Sequence, residues 1–134
     1  MFSVRLSVDN VIFGFSADDL KVLLIKRTSE PYKDTWALPG DLVNPDEDLD
    51  EAPQRILLEL TGLTNVFLEQ VHTFGKVSRH PQGRVITVAY YSLVNNNLMV
   101  LYEQKTATFY YSLQKYNWII LALESVDLCL YFQQ

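Results

Sequence analysis

Cysteine is almost absent from this chain: Cys129 stands alone among 134 residues. A lone cysteine excludes an internal disulfide and fits a reducing compartment, so a cytoplasmic location is expected. Long hydrophobic runs are missing as well. The longest late run, residues 118–123, is far too short to cross a bilayer. The opening MFSVRLSVDN carries Arg5 and Asp9 where a signal peptide needs an unbroken apolar core. No membrane partner is expected. Positive charge is scarce: 11 Lys and Arg face 16 Asp and Glu, for a net charge of −5. After Arg84 the only basic residues are Lys105 and Lys115. Nucleic-acid binding draws much of its affinity from Lys and Arg on phosphates, so no nucleic-acid partner is expected through this chain. From Asn95 onward there is no Gly or Pro, which leaves residues 95–134 without the usual turn punctuation.

What is present describes a globular domain. Hydrophobic residues make up 49% and charged residues 20% of a length that suits one core and leaves little room for two. Residues 11–15 and 21–27 read as strands, the second around Val22-Leu23-Leu24-Ile25, with a turn at residues 16–19. Gly75 ends a further strand, residues 79–84 form a loop, and residues 85–94 are a long β-run. Between these lies one amphipathic helix, residues 49–60, with apolar positions 49, 52, 53, 56, 57 and 60. Asp48 and Glu51 give it a capping-box-like start, Pro53 sits in its early turns, and Thr61-Gly62 is a C-terminal stop. Glu47, Glu51, Arg55 and Glu59 recur every four residues as a salt-bridged stripe.

The segment LPGDLVNPDEDLDEAPQRILLELTGL, residues 38–63, resembles the Nudix box, G-x5-E-x7-R-E-U-x-E-E-x-G-U, where U is bulky and apolar. Glu47, Arg55, Leu57, Glu59, Gly62 and Leu63 match. Asp41 stands at the leading Gly with Gly40 one residue early, Ile56 replaces the Glu after the Arg, and Leu60 replaces the second Glu of the pair. Trp36-Ala37-Leu38-Pro39-Gly40 is similar to the W-x-L-P-G lead into the box. VHTFGKVSRHPQGRVITVAYYSLV, residues 71–94, narrows the resemblance to the Nudix-related transcriptional regulators. That resemblance covers residues 4–94, and residues 95–134 are atypical. It implies an α/β fold: a Nudix-type α/β/α sandwich on a mixed curved sheet, with the box helix on one face and a closing helix at residues 119–132 on the other. It also implies a domain that senses an ADP-ribose-like or sugar ligand and is followed by a DNA-binding winged helix. In 134 residues there is no room for that second domain, so a complete regulator is not expected.

The departures from the box bear on catalysis. Hydrolysis of nucleoside diphosphate derivatives needs Mg2+ or Mn2+, hard ions that take oxygen ligands. The resemblance assigns the ligands to the helix glutamates. Positions 56, 59 and 60 share a helix face at i, i+3, i+4 spacing, and here that face reads Ile56, Glu59, Leu60. One carboxylate beside two aliphatic chains is a poor metal site. Two readings stand. In the first the domain is a non-catalytic sensor that needs no cofactor. In the second it is a hydrolase using Mg or Mn held by Glu59 and Glu47 with a third carboxylate such as Glu69.

Metal-free phosphate binding would fall to arginine, which makes bidentate charge-assisted hydrogen bonds. Arg79, His80 and Arg84 concentrate positive charge in one loop of an acidic chain. Arg27, at a strand end, and Trp36, able to stack on a base or simply to pack, complete the candidate ligand set. Gly40, Arg55 and Gly62 are the structural positions of the motif. Residues 119–132 would form a helix apolar on nearly every side, so a homodimer is expected to cover it.

Overall fold

The computed structural model describes residues 1–15, 20–28, 30, 33–81, 83–95 and 107–111. In chain order the elements are β1 (Arg5–Phe15), β2 (Leu20–Lys26), β3 (Trp36–Ala37), β4 (Gly40–Leu42), α1 (Ala52–Thr61), β5 (Glu69–Phe74), β6 (Val85–Asn95) and β7 (Ala107–Tyr111). The expected turn at residues 16–19, the expected closing helix at residues 119–132 and Cys129 lie outside the described residues.

One mixed sheet holds all seven strands, ordered β3-β2-β1-β6-β5, with β4 also on β1 and β7 also on β2. Its spine is the parallel pair β1 and β6, in register from Arg5↔Val85 to Phe15↔Asn95. This pairing explains why β1 is longer than the expected strand at residues 11–15. The segment RLSVDN is too polar to announce a strand, but β6 offers it a ladder along its whole length. The other edge of β1 is divided. β2 pairs with it antiparallel at Phe13↔Val22 through Phe15↔Leu20, and β4 at Ser7↔Leu42, Val8↔Asp41 and Asp9↔Gly40.

Alternation along the strands sorts the core into two faces. Val8 and Ile12 of β1, Leu23 and Ile25 of β2, and Val88 and Tyr90 of β6 meet Ala52, Ile56 and Leu57 of α1. On the opposite face Val11, Val22, Leu24 and Ala89 gather with Leu38, and Phe13, Trp36 and Phe74 pack against them.

The helix begins three residues later than the sequence pattern suggests. Glu51 is the N-cap, in right-handed helical conformation, and makes no side-chain capping bond. The expected capping box of Asp48 and Glu51 does not form. Backbone bonds from Glu51 N to Asp48 O (3.0 Å) and from Ala52 N to Leu49 O (3.3 Å) make residues 48–52 a turn instead. Pro53 accounts for the shift. Its fixed φ and missing N–H suit the first helical turn, where donors have no intrahelical partner, so the helix starts around it. The other end stops as expected at Gly62, which adopts φ 79° and donates its N–H to Leu58 O at 2.9 Å. Thr61 adds a second tie: its Oγ1 donates to Leu57 O (2.6 Å) and accepts from Leu63 N (3.2 Å). Buried Asn10 Nδ2 donates to Pro53 O (3.1 Å), pinning the helix start onto β1. Among the described residues no helix is long and apolar enough to cross a membrane.

Candidate functional site

Arg55 organises the segment between β4 and α1. Its Nε donates to Glu47 Oε2, and its Nη2 to Glu47 Oε1 (3.0 Å) and Leu42 O (2.9 Å). Its Nη1 donates to Glu59 Oε2, one helical turn on, at 3.0 Å. Glu47 also accepts from Asn44 N (3.1 Å). The guanidinium holds the Glu47 carboxyl below the usual carboxylate range, and Glu47 pushes Arg55 up in return. The charged stripe is therefore a clamp that fastens the loop before α1 to the helix.

Both glutamates that a metal would need are thus bonded to one arginine. Ile56 has no solvent exposure and packs with Val8, Val88 and Tyr90. Half-buried Leu60 packs against both clusters under the helix. Only Glu59 of the three positions points outward, its side chain 55% exposed. Glu69 lies on β5 and accepts a hydrogen bond from the Tyr91 hydroxyl at 3.2 Å. Among the described residues no group of three or more His, Cys, Asp or Glu is placed to hold a metal ion. A Mg2+ or Mn2+ cluster does not fit the donors present at the box positions.

The opposite face of the sheet carries a different arrangement. Asp9 sits on β1 where β4 lies beside it, on the face turned away from α1. Its carboxyl occupies the space that a side chain at position 40 would need. A Cβ on Gly40 would lie 1.8 Å from Asp9 Oδ1 and 2.8 Å from Val8 O. Desolvation pushes the Asp9 carboxyl up to about 6, although the positive charges of Arg79 and Arg27 pull the other way. Beside it Ser7 Oγ and Thr87 Oγ1 are hydrogen-bonded at 2.5 Å across the β1–β6 pair. A polar band on β1 and β6 thus adjoins the apolar cluster of Val11, Val22 and Leu24.

Arg79 is not a solvated hairpin tip: it is 3% exposed. Its Nη1 donates to Val85 O at 3.4 Å. Arg84 braces the same connection, donating from Nη2 to Gly75 O at 2.9 Å, with its guanidinium 6.0 Å above the Phe2 ring. His80, next to Arg79, is half-buried. Arg27 follows β2, and its backbone N–H bonds to Thr35 O (2.8 Å), just before Trp36. Half-buried Trp36 packs on the Val11–Leu24 cluster. The positive charges of Arg79 and Arg27 thus both act on the Asp9 carboxyl, and Arg84 has a bracing contact. Asp9 was not legible as a site residue. Its only signal is a carboxylate in the middle of a strand whose neighbours are buried.

A family profile described as the NUDIX domain matches residues 4–126. The chain belongs to the Nudix family. It is 41% identical over 95 residues to the ADPR responsive transcriptional repressor NtrR of Acinetobacter baylyi, a match covering 69% of this chain and 38% of that protein. To the ADP-ribose pyrophosphatase of Methanocaldococcus jannaschii it is 33% identical over 98 residues, covering 72% of this chain and 58% of that one. The chain thus spans less than two thirds of either curated relative. Among solved structures, the NUDIX domain of Shewanella oneidensis NrtR complexed with ADP ribose aligns with a TM-score of 0.75 at 25% identity. That alignment covers 97% of this chain and 90% of the other. The Nudix fold expected from the sequence is the one found.

Proposed function

We propose that this Nudix domain binds ADP-ribose, or a closely related nucleotide-sugar phosphate, without a metal ion, and serves as a sensor rather than a hydrolase. The observation that carries the reading is Ile56, a fully buried core residue at a box position that catalysis requires to be a metal-binding carboxylate. The similar repressor is named for its response to ADPR, and the similar NUDIX domain is complexed with ADP ribose. Arg79 and Arg27 both act on the Asp9 carboxyl beside the polar band on the sheet. Arginine binds a diphosphate by charge-assisted hydrogen bonds and needs no metal to do so.

Titration calorimetry in the presence of EDTA tests the binding. ADP-ribose should bind, and Arg27→Ala or Arg79→Ala should each weaken it by about 1.5–3 kcal/mol, the range for a hydrogen bond to a charged group. Binding unchanged in both variants would remove the arginines from the site. The same protein, given Mg2+ or Mn2+ and ADP-ribose, should show no turnover above that of Glu59→Gln. A rate that vanishes in that variant would instead make the domain a pyrophosphatase, as the archaeal relative is named.

A further inference from the structure

On one side the sheet ends at β5. This strand stands last in the order β3-β2-β1-β6-β5, and among the described residues nothing pairs with its outer side. Its residues from Glu69 to Thr73 are all exposed, and Phe74 is half-buried. A bare strand edge is a template for pairing, and proteins commonly blunt it with lysine or proline. The strand reads EQVHTF and holds neither. Its ladder with β6 is interrupted between Gln70 and His72. Val71 is therefore an extra residue with no partner on β6, and it is 57% exposed. Phe67, just before the strand, is 80% exposed, and Val77, just after it, is 71% exposed. Apolar side chains thus face solvent at the middle of this edge and beyond both its ends. An exposed apolar patch of this kind marks an interaction surface.

The strand is complementary to itself. A twofold axis normal to the sheet lays a second copy of β5 antiparallel along the first and keeps matching faces on the same side. Glu69 and Phe74 are paired with Tyr91 and Thr87 of β6, and so lie on the face turned away from α1. Gln70 and Thr73, paired with Tyr90 and Val88, lie on the α1 face. Setting Glu69 opposite Phe74 of the second copy therefore also sets Gln70 opposite Thr73, and the faces agree along the ladder. The axis then falls between Val71 and His72. Each unpartnered valine meets His72 of the other copy, and the two bulges lie symmetrically about the axis. Their added twist is the same in both strands, as a two-stranded ribbon tolerates. Charge agrees as well. Glu69 is the only acid on β5, and it comes diagonal to His72 of the other copy, which sits edge-on to Phe74 on that face. No like charges are set opposite each other. Past the ends of the ladder, Phe67 of one copy approaches Val77 of the other.

We infer that this chain forms a twofold dimer through β5, joining two sheets edge to edge. A second copy is the occupant because the match is reciprocal: the groups left without partners on one β5 find them on another. The dimer expected from residues 119–132 concerned a segment outside the described residues, and the β5 edge needs none of it. The inference is independent of the ligand proposed above.

Light scattering of the full chain over a range of micromolar concentrations should show the mass rising to twice that of one chain. Val71→Lys sets an ammonium at the axis and removes an apolar side chain from each copy. It should raise the dissociation constant of the dimer at least about tenfold. Leu58→Lys, on the exposed side of α1, should leave that constant unchanged. If Val71→Lys does not fold, amide hydrogen exchange on wild type decides. Amides of residues 69–74 should exchange more slowly as concentration rises, while those of α1 keep their rates. A monomer at every concentration would overturn the inference. So would a dimer that Val71→Lys leaves intact, or one that protects another segment and leaves the β5 amides unchanged.

Discussion

Position 56 decides more about this protein than any other single residue. Its side chain is sealed between α1 and the sheet, against Val8, Val88 and Tyr90. Restoring the family's Glu there is expected not to rebuild a metal site. It buries a carboxylate among aliphatic groups, and ionised groups are tolerated in such places only with partners. Ile56→Glu should lower stability in urea denaturation by at least about 2 kcal/mol, the floor for losing a buried aliphatic side chain. Adding Mg2+ should recover none of it. A variant as stable as wild type, or one rescued by Mg2+, would mean that position 56 still faces a functional site. The sequence already showed which box carboxylates were missing. It did not show that Ile56 had joined the core, because helical spacing places 56, 59 and 60 on one face without saying how far that face turns toward the sheet. Here it turns far enough to bury Ile56 while Glu59 stays outside with Arg55.

At the scale of elements, the features that local chemistry controls were legible and those set by distant pairing were not. The helix end at Gly62 follows from the left-handed conformation that glycine permits, and it is where the sequence places it. Gly62→Ala should therefore cost about 1–2 kcal/mol, the penalty of forcing a Cβ into that region. A shift in the denaturation midpoint at unchanged slope would show it, and an unchanged midpoint would mean that the cap had rearranged. The helix start was misjudged because Asp48, Glu51 and the apolar residue at 49 mimic a capped helix. Pro53 needs to stand in the first turn, and that requirement prevails. The short strands β3 and β4 could not be anticipated, since Pro39 separates them and each gains its pairing only from a remote strand, β2 or β1. Asp9 belongs to the same category. Its importance comes from Gly40 and Arg79, 31 and 70 positions away along the chain.

For the molecule as a whole, the arrangement of charge argues against direct contact with DNA by this chain, despite its similarity to a transcriptional repressor. The net charge is −5. The arginines that a sequence reader would offer to phosphates are also placed for other tasks. Arg55 is bonded to Glu47 and Glu59, and Arg84 braces Gly75. Affinity for duplex DNA comes largely from cations that release counterions along the backbone, and an acidic surface repels the polyanion instead. The 134-residue chain should therefore give no band shift with duplex DNA at physiological salt, with or without ADP-ribose. Lowering the salt should not produce a steep rise in affinity, because the net charge of the chain is negative. A shift that appears at low salt and fades as salt is added would reveal a basic surface formed by more than one chain. A shift that depends on ADP-ribose would place the ligand's effect on DNA within this domain.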